Sequence, residues 1–127
     1  MGTEYLIDSN ALIDFCNGKL PITGRELLFS VEQPKISVIT QIEVFGFPGI
    51  DRKEEKLLND FVSIAFIHPV DMRIAMKTIE IKKKTRVKLP DALIAATALI
   101  HGLVLISRNV SDFNKIAGLK VINPHEV

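Results

Sequence analysis

The chain has 127 residues, 47% of them apolar and 24% charged, and a net charge of +1. That length fits one hydrophobic core, so a single domain over residues 1–127 is expected. The near-zero charge excludes a bulk field for nucleic acid and leaves only a local patch for such binding; the one cysteine, Cys16, excludes an intrachain disulfide framework and a multi-cysteine zinc site.

Tyr5-Leu6-Ile7 reads as a buried strand ending at Asp8. Ser9 and Asn10 are good cap residues, and a helix is expected through Cys16, a small core residue in that pattern, until Asn17-Gly18 stops it. Pro21 to Gly24 reads as a loop, followed by a short helix over Arg25 to Phe29. Lys35 to Ile39 is a second strand. Thr40-Gln41-Ile42-Glu43 fits a capping box opening a helix to Phe47, which Pro48-Gly49 breaks. A charged helix starts at Asp51, with Leu57, Leu58, Phe61 and Val62 as its apolar stripe, and Ile64 to Ile67 is a third strand. Asp71 caps a helix whose stripe of Met72, Ala75, Met76 and Ile79 reads as core packing. After the basic run Lys82–Lys88 comes the most apolar segment, Leu89 to Ile100, with Pro90 near its first helical position and Asp91 as its only charge. His101-Gly102 stops that helix. Leu103 to Ile106 is the clearest strand, a short helix covers Val110 to Lys115, and Lys120 to Ile122 is an edge strand.

The N-terminus lacks the regions of a signal peptide, and the apolar stretch from Ala92 to Ile106 is too short and too interrupted to span a bilayer. A cytoplasmic protein without membrane attachment is expected. Strands alternating with helices predict a parallel α/β sheet covered on both faces, whose working groups collect at the carboxyl ends of the strands.

Four acids are expected at that edge. Asp8 ends the first strand, Glu43 lies in the first turn of the helix after the second, Asp112 in the first turn after the fourth, and Asp91 opens the apolar helix. Each also has a simpler reading as a helix cap or a partner of a helix dipole. Together they would repel one another, so such a cluster either keeps protons or binds a cation. Oxygen ligands without Cys or His select Mg²⁺ or Mn²⁺, the setting of metal-assisted phosphodiester hydrolysis. Ser9, Asn10, Thr40, Ser107 and Asn109 flank the acids as orienting or merely capping residues. Asp14, a turn and a half beyond Asp8, reads as a surface acid. His68, His101 and His125 show no metal spacing, and Phe45 and Phe47 read as core.

Four blocks resemble the PIN-domain family, and more closely its VapC-like toxins of bacterial and archaeal toxin–antitoxin pairs. They are Leu6-Ile7-Asp8-Ser9-Asn10-Ala11-Leu12-Ile13-Asp14, Ser37-Val38-Ile39-Thr40-Gln41-Ile42-Glu43, Lys88 to Ala98 around Leu89-Pro90-Asp91-Ala92, and Leu105 to Phe113 around Ser107-Arg108-Asn109-Val110-Ser111-Asp112. The resemblance implies a three-layer α/β/α PIN-like fold with a mainly parallel sheet of four to five strands in the order 3-2-1-4-5. It also implies a Mg²⁺- or Mn²⁺-dependent endoribonuclease with Asp8, Glu43, Asp91 and Asp112 as both catalytic and metal-binding residues. Asp112 is the least uniform of the four, and Asn109 shares its work. A homodimer and a cognate antitoxin are implied as well. The basic run has a plain reading as a solvated helix end and a functional one in which Arg86 and Lys88, with Arg108, hold RNA phosphates. The alternative to an enzyme is a non-catalytic RNA- or protein-binding module of the same fold. A receiver-like phosphoacceptor lacks its acidic pair here.

Overall fold

The computed structural model describes residues 2–127. Its elements, in chain order, are β1 (Tyr5–Ile7), α1 (Ser9–Cys16), α2 (Ile22–Ser30), β2 (Lys35–Ser37), α3 (Val38–Phe45), α4 (Arg52–Ile64), β3 (Phe66–His68), α5 (Met72–Lys84), α6 (Leu89–His101), β4 (Val104–Ile106), α7 (Val110–Phe113) and β5 (Val121–Ile122). All strand pairs are parallel: β1 with β4, β4 with β5, and β2 with β3. The mixed α/β architecture with parallel strands is as expected. The hydrogen bonds form two ladders, β1-β4-β5 and β2-β3. Strands β1 and β2 are spatial neighbours with no ladder between them. The order 3-2-1-4-5 thus holds within each half, and its junction between 2 and 1 is contact without pairing.

Alternation along the strands builds two cores. Leu6 and Leu105 face one way, into a core with Ile74, Ile94, Phe113 and the alanines of α6. Ile7, Ile106 and Ile36 face the other way, against Ala11, Leu12, Leu28, Val44 and Leu58 of α1 to α4. Helix α6 is the central mount of the first core: Ala92, Ile94, Ala95, Ala96 and Ala98 are fully buried. It ends at Gly102, whose φ of 67° is left-handed backbone that suits glycine and turns the chain into β4.

Several local expectations are corrected. Helix α2 starts at Ile22, so Pro21 to Gly24 is not a loop. Gly24 serves a close approach instead: a Cβ there would collide with the carbonyl of Pro124. Helix α3 is capped by Ser37, whose Oγ accepts from the Ile39 amide at 3.0 Å. The second strand therefore ends before Val38, Thr40 lies inside the helix, and Thr40–Glu43 is no capping box. Helix α4 runs on to Ile64, and β3 starts at Phe66, where the Phe66 amide bonds the Pro34 carbonyl.

Helix α5 buries Ile74, Thr78 and Ile81, while Met72, Met76 and Ile79 are 73%, 64% and 55% exposed. Two stripes at helical spacing competed, and the inward one contains a polar residue. The Thr78 hydroxyl can be buried because it donates to the Ile74 carbonyl within its own helix at 2.7 Å. Phe45 is half-buried against the second core, but Phe47 is exposed rather than core. Cys16 is half-buried at the edge of that core, and burial pushes its thiol up to about 11, a weak nucleophile. Among the described residues no helix is long and apolar enough to cross a membrane.

Candidate functional site

Asp8 follows β1 directly and caps α1, its Oδ1 accepting from the Ser9 amide at 2.8 Å. Its other oxygen, Oδ2, accepts from Ser107 Oγ at 2.7 Å and from Asn10 Nδ2 at 3.2 Å. Ser107 follows β4, the partner strand of β1, so parallel pairing itself delivers that hydroxyl. Asp8 is 4% exposed. Burial raises its pKa from 3.8 to about 6 against the pull of the Ser107 and Ser9 hydrogen bonds, with help from the charges of Asp91 and Glu43.

Asp91 sits in the first turn of α6. Its pKa is raised too, by burial first, then by Glu43 and Asp112, with Lys88 opposing. Asp8 lies within range of the charges of Asp91 and Glu43, and Asp91 within range of those of Glu43 and Asp112, so the fold brings the four acids to one edge. No hydrogen-bond donor rests on Asp91 among the described residues, so neither of its oxygens is committed to a protein partner.

Glu43 lies in the second turn of α3 rather than the first, since the helix begins at Val38. Freed from any capping role, it accepts from Ser9 Oγ at 2.6 Å. Asp112 lies in the first turn of α7 and accepts from Asn109 Nδ2 at 3.1 Å, while Lys115 stands 4.0 Å away. Asn109 is thus a holder of Asp112, and its own amide donates to Ser107 Oγ at 3.0 Å. Ser9, Asn10, Ser107 and Asn109 all touch the acids or one another. Thr40 does not: it is fully buried, and its Oγ1 has no hydrogen-bond partner.

The donor set is all oxygen, which fits a hard cation that keeps most of its water and takes few protein ligands. Among the described residues no three His, Cys, Asp or Glu side chains form a closed group ready to hold a metal ion. The site is therefore an open row of carboxylates, not a preformed cage.

The arrangement also contains a network that the sequence reading missed. Asp14 is not a surface acid but 4% exposed. Its Oδ2 accepts from Arg108 Nη1 at 3.0 Å and lies 2.8 Å from His125 Nε2. The Arg108 amide donates to Asn10 Oδ1 at 3.0 Å. Asn10 and Asp14 are one helical turn apart on α1, so a single face of that helix holds both the backbone and the guanidinium of Arg108. The i,i+4 spacing and the small Ala11 three residues before Asp14 were the available signals. Through this network the C-terminal segment and the Ser107–Asn109 loop are tied to α1. Asp14→Ala leaves Arg108 and His125 without their acceptor and is expected to cost about 2–4 kcal/mol of stability. Urea unfolding measures this, and a loss under about 0.5 kcal/mol would refute the clamp.

His68 and His101 stack with ring centroids 4.2 Å apart, and His68 Nε2 is buried without a partner. Burial first, then the neighbouring His101 and Lys35, holds the His68 pKa below its usual value, with Glu4 opposing. Neither histidine is among the groups that perturb Asp8 and Asp91.

Fold and site together define an α/β/α protein with an acidic edge at the carboxyl ends of its parallel strands. The model of the PIN domain matches residues 5–119. The chain belongs to the PIN-domain family. It is similar to the toxin–antitoxin complex from Klebsiella pneumoniae, with 34% identity, a TM-score of 0.81, and 98% of this chain and 100% of that one covered. The DNA-bound VapBC from Salmonella typhimurium is 26% identical with a TM-score of 0.80, covering 97% of this chain and 99% of that chain. A shorter match, 46% identical over 41 residues, is to ribonuclease VapC1 of Rickettsia felis; it spans 32% of this chain and 31% of that protein.

Proposed function

We propose that this chain is a Mg²⁺- or Mn²⁺-dependent endoribonuclease and the toxin of a toxin–antitoxin pair. The observation that carries the proposal is the mutual approach of Asp8, Glu43, Asp91 and Asp112, with burial and like charge opposing ionisation of Asp8 and Asp91. Those four acids would hold the cation, which when bound neutralises them, polarises a phosphate and lowers the pKa of a water in the site. Asp8 is held by Ser107, Asn10 and the Ser9 amide and serves as the rigid member. Asp91, with no donor on either oxygen, is the carboxylate free to take a proton from the attacking water. Glu43 and Asp112 are aimed by Ser9 and Asn109. Arg86 and Lys88 are exposed, with the Lys88 charge reaching Asp91, and would bind phosphate; Arg108, tied to Asp14 through one amino group, presents its remaining N–H groups. No covalent intermediate is expected, because the Ser9 and Ser107 hydroxyls already donate to carboxylates and the Cys16 thiol stays protonated.

The similar Klebsiella protein was solved as a toxin–antitoxin complex, and the Rickettsia relative is named a ribonuclease. Both support the reading, as does the VapBC assembly of the Salmonella protein. A cognate antitoxin, a homodimer, a single domain over the full chain and a cytoplasmic setting complete the proposal. The exposed stripe of Met72, Met76 and Ile79 is apolar surface available to such partners.

The test is sequencing of RNA ends after incubation with purified protein and Mn²⁺, parent against Asp91→Asn. Loss of an uncommitted charged group from such a site is expected to cut cleavage about a hundredfold or more. Equal cleavage by both proteins would remove Asp91 from the mechanism. A second reading, an RNA- or protein-binding module without catalysis, is favoured by the absence of a closed ligand group among the described residues. Calorimetric titration with Mn²⁺ separates the two, since this reading expects no binding that Asp91→Asn weakens.

A further inference from the structure

The basic run splits into two kinds of residue. Lys82 is exposed but spent on the chain itself: its Nζ donates to the Val87 carbonyl at 2.8 Å. Thr85 Oγ1 bonds the Ile81 carbonyl at 3.0 Å and accepts from the Val87 amide at 3.3 Å. These bonds pin the loop between α5 and α6 and leave Lys83, Arg86 and Lys88 exposed, with no ion-pair partner among the described residues. Across from the loop stands Lys115, on the turn after α7. An open groove of about 490 Å³ runs between them, walled by Lys83, Lys84, Arg86 and Lys115. A helix C-terminus explains lysines at the end of α5. It does not explain Arg86, which lies beyond the helix, or Lys115, which comes from a separate element. In a chain of net charge +1, this is a local concentration of cations on a pinned wall. Lys115 reaches to 4.0 Å from Asp112, so one wall of the groove adjoins the acidic edge.

We infer that this groove carries the RNA backbone away from the acidic edge on its Asp112 side, with Lys83, Arg86 and Lys115 meeting successive phosphates. The inference rests on the ribonuclease reading for the nature of the strand. Phosphate suits these donors: the guanidinium of Arg86 presents a planar fork, and the lysines act as point charges. The pinned loop binds at little ordering cost, because its backbone is already fixed.

The test compares the parent with Lys83→Ala/Arg86→Ala/Lys115→Ala and with a control of equal charge change on α4, Arg52→Ala/Lys53→Ala/Lys56→Ala. Binding of a fluorescein-labelled single-stranded RNA oligonucleotide is followed by anisotropy against KCl concentration, in chelator so that nothing is cut. Each lost phosphate contact removes about 0.7 from the slope of log affinity against log salt, so the groove variant should lose about 2 and the control nothing. In Mn²⁺ the groove variant should show KM raised about tenfold with kcat kept, as for uniform binding. An unchanged slope and KM in the groove variant, or an equal loss in the control, would overturn the groove. So would an unchanged RNA slope with lost binding of a polyglutamate peptide, which assigns the surface to an acidic protein partner. If the parent cuts no RNA but the slope still falls by the expected amount, the groove stands and the ribonuclease reading fails.

Discussion

Asp8→Asn is expected to gain stability over the parent as pH rises, even though it removes a side chain with three hydrogen bonds. In the folded chain Asp8 keeps its proton up to about pH 6, whereas in the unfolded chain it loses it near 3.8. Between these values the folded state binds more protons than the unfolded one, so the parent loses stability as pH increases. The loss is complete above pH 6 and amounts to roughly 3 kcal/mol. Asparagine does not titrate and escapes it. It carries a separate, pH-independent cost: its amide would point a donor at Asn10 Nδ2, which already donates to that oxygen. The absolute difference therefore mixes two effects, and its change with pH isolates the first. Urea unfolding of both proteins at pH 4 and pH 7 should show the difference moving by about 2.4 kcal/mol in favour of Asn at the higher pH, since at pH 4 the unfolded carboxyl has already given up part of its proton. A constant difference would mean that Asp8 is not held protonated by its surroundings. Mn²⁺ at pH 7 should then restore stability to the parent alone, since a ligand that binds only the folded state stabilises it by mass action.

Phe113→Ala should produce the larger loss of fold. Helix α7 has four residues, too few to stand on backbone hydrogen bonds alone. What holds it is the Phe113 ring, fully buried in the core shared by α5, α6, Leu6 and Leu105. Truncation leaves a cavity and is expected to cost about 3–5 kcal/mol, a large share of the stability of an ordinary domain. It also unfastens Asp112, one residue away, together with its partner Asn109. Cleavage should therefore fall even at low temperature where the protein stays folded. Phe113→Leu keeps most of the volume and should cost under about 1.5 kcal/mol with activity retained. Equal activity in Phe113→Ala and the parent would show that the placement of Asp112 does not matter to the reaction.

The parts of the fold that could be read from the chain are those set by local rules. Tyr5-Leu6-Ile7, between Glu4 and Asp8, and Leu103-Val104-Leu105-Ile106, between Gly102 and Ser107, are short apolar runs, and each holds a strand, the second starting at Val104. Asp8 and Asp91 were legible as acids because each follows or opens an apolar element that fixes its place. The errors came where two local patterns were equally good. Thr40 reads as the cap because the apolar run Ile36 to Ile39 reads as one strand, whereas Ser37 inside that run caps the helix. On α5 the apolar count favours Met72, Met76 and Ile79, while the face that is buried carries Thr78, whose hydroxyl is satisfied inside the helix. Asp14 escaped because its partners, Arg108 and His125, are far along the chain. No period or propensity encodes a contact of that kind. The missing ladder between β1 and β2 is of the same class, since pairing between strands separated by two helices leaves no local trace.

That missing ladder has a mechanical consequence. Asp8 stands on one half-sheet and Glu43 on the helix that leaves the other. The Ser9–Glu43 hydrogen bond is a side-chain bridge that spans the seam between them. The separation of these two acids can thus change without breaking any sheet hydrogen bond. The compliance of the site is that of packed side chains, softer than that of a continuous sheet. A cation gripped by both carboxylates would act as a cross-link across the seam, and its binding would stiffen the halves into one body.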